Sequence, residues 1–316
     1  MTADTPQVPK PPGLSRTSES AGTPRSPEPA ASSPPGADAA GTRGQGRVLL
    51  GTQGWNYADW VGGFYPAGTR PADFLSTYAR AFRAVEVDST FYAVPVAKTV
   101  RGWAERTPPG FTFALKMPQE ATHERRLVDA EDVTERFFDV ARELGEKLGP
   151  VLLQMGPDFG PDELPALARF LPRVPADVRA AVEVRHAGWN GPGMLDALRV
   201  LLQEHGAALA LSDGRWMPRS TVLDLAARPT ADFHYVRWMG PDRSITRFSQ
   251  VLVDRADEMD AWAAALQPVL GRAVSLFGFF NNHFAGHSPA NARDMQRRLG
   301  DLPVDPRTLD EQTSLF

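Results

Sequence analysis

Ala84-Val85-Glu86-Val87-Asp88-Ser89 is the stretch that decides the fold. Side chains alternate between the two faces of a β-strand. Val85 and Val87 therefore share one face, and Glu86 and Asp88 share the other. Packing helices onto the carboxylate face would strip two anions of water at large cost. The valines are expected to meet a helix layer, and the carboxylates to point into an enclosed polar space near the end of the strand.

The same pattern recurs along the chain. Val182 and Val184 alternate with Glu183 and Arg185, Lys116 stands two residues after Ala114, and Gln154 two after Leu152. Arg237 follows Tyr235 by two, the sixth run ends at Asp213, and the last at Asn281-Asn282. Strands are expected at Val48–Thr52, Ala84–Ser89, Phe111–Met117, Val151–Met155, Ala181–Arg185, Ala207–Ser212, Phe233–Trp238 and Val274–Asn281. Helical patterns lie between most of them, as at Arg70–Phe82, Val133–Leu148, Leu164–Leu171, Pro192–His205 and Arg255–Leu270. This alternation predicts parallel strands with helical crossovers. Eight such units in about 270 residues match a (β/α)8 TIM-type barrel. An open doubly wound sheet is the alternative, but the first turn, Gly51-Thr52-Gln53-Gly54-Trp55, lacks the third glycine of a dinucleotide fingerprint.

Barrel enzymes build their sites at the C-terminal ends of the strands. Ordinary barrel layers are aliphatic, so polar residues at the end of nearly every strand point to a functional pocket rather than to packing alone. Glu86, Lys116, Glu183 and Asp213 are the candidate acid, base and charge-stabilising groups. Asp88, Tyr92, His123, Gln154, Arg185, His186, Trp189, Arg237, Asn281 and Asn282 are the candidate substrate-binding groups. The competing reading of Glu183 and Arg185 is a structural ion pair filling the lumen. His123, His186, His283 and His287 follow strand ends, whereas His205 falls in a helix and His234 begins the seventh strand, at the wrong end. Aromatic residues cluster after the first strand (Trp55, Tyr57, Trp60, Phe64, Tyr65) and the second (Phe91, Tyr92). They suit either loop packing or a stacking wall for a sugar or base.

Composition narrows the classes. The 316-residue chain carries a formal charge of −4, so no overall basic field draws it to nucleic acid or membranes. It has no cysteine, which removes disulfides, cysteine-ligated zinc, iron–sulfur clusters and thiol nucleophiles together. No stretch approaches the roughly 18 apolar residues of a membrane span, and a cytoplasmic protein is the expectation. Residues 1–46 are rich in Pro, Ser, Ala and Gly, and are expected to be a disordered tail. The barrel is expected over residues 47–303, followed by a short C-terminal tail over 304–316. No cofactor is required. A single divalent ion held by Glu86, Glu183, Asp213 and a histidine is an arrangement the sequence admits. A trinuclear zinc site, which needs many histidine and carboxylate ligands, is disfavoured, because the chain has six histidines and at least two are badly placed.

Several long motifs carry a resemblance. The run Gly51-Thr52-Gln53-Gly54-Trp55-Asn56-Tyr57-Ala58-Asp59-Trp60, followed by Gly63-Phe64-Tyr65-Pro66, is one. Val85-Glu86-Val87-Asp88-Ser89-Thr90-Phe91-Tyr92, Phe113-Ala114-Leu115-Lys116, Thr122-His123, Leu148-Gly149-Pro150 and Glu183-Val184-Arg185-His186 with Trp189 are others. Tyr235-Val236-Arg237, Phe280-Asn281-Asn282 and Ala290-Asn291-Ala292 complete the set. Together they resemble the YecE-like domain of unknown function, family 72, over residues 48 to 300. The resemblance implies a (β/α) barrel similar to those of sugar isomerases and apurinic-site endonucleases, and no established activity. Three positions depart from the family pattern. Asp88 stands where Asn is usual, Met239-Gly240 where His-Gly is usual, and Met155-Gly156-Pro157 where a Leu-Pro-Pro turn is common.

Acid–base hydrolysis of a phosphoester or glycosidic bond is the leading expectation, on a phosphorylated or sugar-like small molecule, with isomerisation next. The alternatives are a nucleic-acid or nucleotide-binding protein without catalysis, and a non-catalytic scaffold.

Overall fold

Each strand pairs only with parallel neighbours, so each chain reversal needs a crossover, and helices supply it. The computed structural model describes residues 46–311 other than 273, 306 and 307. The strands are β1 (Val48–Thr52), β2 (Ala84–Val87), β3 (Thr112–Lys116), β4 (Leu148–Gln154), β5 (Ala180–Glu183), β6 (Ala208–Asp213), β7 (Phe233–Trp238) and β8 (Ser275–Phe280). They form one eight-stranded sheet in the order β1-β8-β7-β6-β5-β4-β3-β2. The crossover helices are α1 (Phe74–Ala81), α2 (Ala97–Glu105), α3 (Glu131–Ala141), α4 (Leu164–Phe170), α5 (Met194–Glu204), α6 (Arg219–Ala226) and α7 (Ala256–Leu270). After β8 come the short α8 (Asn282–Ala285), then α9 (Ser288–Arg298) and the turn α10 (Thr308–Glu311). The barrel predicted from alternation is the fold observed.

Among the observed helices, α2, α6 and α9, with the short α8 and α10, have no counterpart among those expected from the sequence. The stretch predicted to be helical over Val133–Leu148 ends at Ala141 and continues as a tighter turn broken at Gly145, whose φ is 55°. The expected tail at 1–46 lies, apart from Gly46, outside the described residues. The expected tail from 304 contains α10, where Leu309 is buried. No helix among the described residues is long and apolar enough to cross a membrane.

The lumen is filled asymmetrically. Ala84, Ala114, Ala181, Ala208 and Ala210 point inward from β2, β3, β5 and β6, while Phe233, Tyr235, Phe277 and Phe279 come from β7 and β8, with Leu49 and Leu152 completing the cluster. Rings from one side fill the room left by alanines on the other, which preserves close packing. Arg179 lies below this layer, 5.9 Å from the ring centres of both Phe233 and Phe277.

β1 and β2 meet without a ladder. A bridge at Gln53 and Glu86 joins their ends. Below it, the Tyr78 hydroxyl of α1 takes the place of a ladder bond. It accepts from the Thr52 N–H at 2.9 Å and donates to the Ala84 carbonyl at 3.0 Å. Gly51 makes this seam feasible, because a Cβ there would lie 2.0 Å from the Ala84 oxygen and 2.7 Å from the Tyr78 hydroxyl. Removing the hydroxyl would leave a buried donor and acceptor unpaired, at a cost of about 1–3 kcal/mol. Tyr78→Phe is therefore expected to lower unfolding free energy by that amount in urea titrations. A loss below about 0.5 kcal/mol would show that the seam does not depend on the hydroxyl.

Candidate functional site

The inward faces of the strands continue above the apolar layer as polar side chains. At the centre stands Arg237 of β7, whose side chain is 2% exposed. Its Nε and Nη2 grip Glu86 of β2, with Nη2 2.7 Å from Oε1 and Nε 2.9 Å from Oε2. Its Nη1 donates to Glu183 Oε2 of β5 at 2.7 Å. Tyr235 donates to Glu86 Oε2 at 2.7 Å, and Arg185 Nε donates to Glu183 Oε1 at 2.6 Å. One guanidinium thus ties strands from three parts of the barrel, with most of its donors engaged.

These contacts set the protonation states. Burial works against ionisation of Glu183, but Arg185 and Arg237 hold its carboxyl down at about 2. Burial pushes the Glu86 carboxyl above the ordinary carboxylate range, against the pull of Arg237. Burial also opposes the charge on Arg237, yet Glu86 and Glu183 raise its pKa well above the usual value.

Lys116 of β3 is different. Its Nζ lies 3.6 Å from the centre of the Phe91 ring, and only its backbone N–H and carbonyl, not its ammonium, bond to the Thr90 hydroxyl. Among the described residues its ammonium has no carboxylate within ion-pair distance. Burial, reinforced by the charge of Arg237, brings its pKa down to about 8. Asp88 follows β2 in a tight turn, Asp88–Phe91. Its Oδ1 is 3.6 Å from Arg237 Nη2 and has no hydrogen-bond partner. His123 sits in a π-helical turn, Glu120–Glu124, its Nδ1 2.9 Å from Thr122 Oγ1 and its Nε2 3.4 Å from the Gln154 amide. Burial lowers its pKa, helped by Lys116 and Arg185.

Glu86, Asp88, Lys116, Gln154, Glu183, Arg185, Arg237 and Asn281 all lie on the inward parity, with His123 at their edge. Asp213 does not join them. Ala208, Ala210 and Ser212 face the lumen, so Asp213 faces the helices, where it accepts from Arg219 Nε at 3.0 Å and Trp262 Nε1 at 2.7 Å. The divalent-ion set expected from Glu86, Glu183, Asp213 and a histidine therefore does not assemble. Among the described residues no group of three or more metal-ligating side chains converges.

Asn282 also turns away from the lumen. Its Oδ1 accepts from Trp60 Nε1 and from the N–H and hydroxyl of Ser288, which anchors the loops around β1 and β8. Trp189 is 1% exposed, and its Nε1 donates to the Phe159 carbonyl, so it pins two loops together rather than walling a pocket. His186 uses Nδ1 to accept the Gly188 N–H of its own loop. His287 is buried beside Trp60, away from the central charges. Trp60, Phe64 and Tyr65 are core residues, leaving Trp55 and Tyr57 as the aromatics beside Asp88. Tyr92 is 74% exposed at the outer rim.

Gln53 is the residue that sequence reasoning missed. It has the parity of Leu49 and Gly51 and is buried at the mouth, accepting from Asn281 Nδ2 at 2.8 Å and donating to Met239 Sδ at 3.0 Å. Gly240 must stay glycine: its φ is 79°, and a Cβ would lie 2.3 Å from the His283 carbonyl oxygen. Two recesses open at the mouth. One, about 330 Å³, is lined by Gln53, Trp55, Tyr57 and Asp88. The other, about 200 Å³, is lined by Arg185, Trp216, Asn281 and further loop residues.

Two outcomes follow for stability. Arg237→Met leaves the buried Glu86 without a cation and Glu183 with Arg185 alone, and is expected to cost about 3–5 kcal/mol in denaturant titrations. A loss under about 1 kcal/mol would contradict the central role of the guanidinium. Because the folded-state pKa of Glu183 lies below its ordinary 4.5, its contribution is fully present above that value and fades as pH falls toward about 2. Unfolding free energy measured between those limits should fall less steeply in Glu183→Gln than in the natural chain. Equal slopes would show that Glu183 is not held ionised.

Residues 49–313 match the family described as "Protein of unknown function DUF72". The UPF0759 protein YecE of Escherichia coli K12 is 31% identical over 288 residues, which cover 85% of this chain and 100% of that protein. The UPF0759 protein YunF of Bacillus subtilis is 26% identical over 289 residues, covering 83% of this chain and 99% of that protein. A crystal structure of a DUF72 family protein from Thermotoga maritima superposes with a TM-score of 0.65 at 25% identity, over 81% of this chain and 100% of that one. A second, from Enterococcus faecalis, gives 0.64 at 20% identity, over 80% and 98%, and supports the fold alone. With the motifs, the barrel and these matches in agreement, the chain belongs to the DUF72 family of proteins of unknown function.

Proposed function

We propose that this protein is an enzyme that moves protons on a small phosphorylated or sugar-like substrate, with Lys116 as the exchanging group. The observation that carries this reading is the Lys116 ammonium itself, buried beneath Phe91 without a carboxylate partner. An unpaired buried cation costs stability and does nothing for packing. A lysine at about pKa 8 is neutral often enough near physiological pH to take a proton, and as an ammonium it returns one. Asp88, whose Oδ1 has no hydrogen-bond partner, and His123, whose pKa is lowered by its surroundings, are the partners for a second transfer. Gln53, Gln154 and Asn281 supply amides suited to orienting hydroxyl or carbonyl oxygens. Glu86 and Glu183 keep Arg237 in place and shape the local field.

This assignment favours isomerisation over glycoside hydrolysis by a retaining mechanism. A retaining glycosidase needs two available carboxyl groups about 5 Å apart, one of them a proton donor. Glu86 and Glu183 instead share one guanidinium, and a carboxyl held at about 2 donates no proton near neutrality.

The test is proton exchange in deuterium oxide. A panel of aldose and ketose sugars and their phosphates is followed by NMR for deuterium incorporation and isomer formation. Exchange is expected to rise as pH passes about 8 and to fall by about 10²–10⁴-fold in Lys116→Met. Equal exchange by that variant would remove Lys116 from the mechanism. No exchange, combined with oligonucleotide binding that weakens steeply with salt, would replace the enzyme by a nucleic-acid-binding protein.

A further inference from the structure

The smaller recess at the mouth has an unusual charge. It is lined by Arg185, Arg215 and Arg243, with Trp216, Asn281 and His283 among its walls. Asp242 is the single acidic residue lining it, and its Oδ1 already accepts the Ser244 N–H. Among the described residues Arg215 and Arg243 have no carboxylate partner, and Arg185 spends only its Nε on Glu183.

Two of these cations share one indole. The guanidinium carbon of Arg185 lies 5.4 Å from the Trp216 ring and that of Arg215 lies 4.3 Å from it. A cation–π contact uses the charge of a guanidinium without consuming its N–H donors. Like charges gathered in this way repel one another, and an anion among them reverses that cost. His283 contributes a buried Nδ1 without a hydrogen-bond partner, beside Asn281.

We propose that this recess is a subsite for the phosphoryl group of a phosphate monoester, placed beside the Lys116 centre. The subsite deepens the proton-transfer reading and rests on it for the remainder of the substrate. A phosphate monoester carries close to two negative charges and three terminal oxygens, which suits guanidinium donors converging from three loops. A carboxylate, with one charge and two oxygens, is satisfied by one forked arginine. Arg185 joins the two regions, because its Nε holds Glu183 in the central network while its outer edge faces the recess.

The test reads binding without turnover, so its failure is distinguishable from failure of the proton-transfer proposal. Inorganic phosphate is titrated calorimetrically into the full chain, the Arg215→Ala/Arg243→Ala double variant and Lys116→Met, with acetate as a second probe. Circular dichroism and thermal melts check that each variant is folded; Arg215 and Arg243 are exposed, so their loss leaves the core intact. The expected result is saturable phosphate binding, weakened about tenfold or more in the double variant. Lys116→Met should keep saturable phosphate binding, weakened less than in the double variant, since the recess is lined by the arginines and not by Lys116. No saturable phosphate binding by the natural chain would overturn the subsite. Unchanged binding in the double variant, or loss in Lys116→Met alone, would do the same. Acetate binding as tightly as phosphate would overturn the phosphoryl assignment.

Discussion

The Arg237 guanidinium, held between Glu86 and Glu183 inside the barrel, is the interaction on which the rest depends. Three charges that would each be costly to bury alone become tolerable together, because every carboxylate meets a hydrogen-bonded cation. The arrangement requires strands β2, β5 and β7 to face a common axis, which a closed cylinder provides. It also consumes the charge of both glutamates. The cations left over, Lys116 and the outer edge of Arg185, are then the groups with capacity to act on something else.

The apolar floor makes this possible. Alanines on one side and phenylalanine and tyrosine rings on the other fill the lumen below the charges. Tyr235 belongs to both regions: its ring packs 5.4 Å from Phe279, and its hydroxyl donates to Glu86. The seam between β1 and β2 shows a similar economy of means, with one tyrosine hydroxyl from a helix standing in for sheet hydrogen bonds. In both places an aromatic residue fills volume with its ring and satisfies a buried polar group with its tip.

Much of the barrel was legible because β2 and β5 pair valines on one face with charges on the other, and only one orientation of such a strand is affordable. Parity failed where both faces look alike. In Ala208-Leu209-Ala210-Leu211-Ser212-Asp213, small and large apolar residues alternate, and nothing local says that the alanines face a lumen filled by rings from β7 and β8. The expectation for Asp213 is therefore one residue out of phase, since Ser212 faces inward and Asp213 meets Trp262. Asn281 and Asn282 are adjacent and alike in type, yet only the first shares the parity of Phe277 and Phe279. Trp189 could not be separated from a rim aromatic, since its burial depends on the Phe159 carbonyl of another loop. Gln53 was readable from the register of Leu49 and Gly51, whereas the role of Tyr78 depends on a contact between a helix and two strand edges that no short motif encodes.

The proposed chemistry depends on the protonation of one amine, Lys116, under the influence of the buried charges around Arg237. The lysines of the chain are Lys10, Lys98, Lys116 and Lys147, few enough that carbon-13 at the ε position can be followed by NMR, with Lys116→Met assigning the signal. A titration midpoint near 8 for Lys116 is the result expected from its burial beside Arg237. A midpoint at the ordinary lysine value of 10.5 would mean that water or an unpaired carboxylate reaches the ammonium, and the proposed chemistry at this mouth would lose its basis.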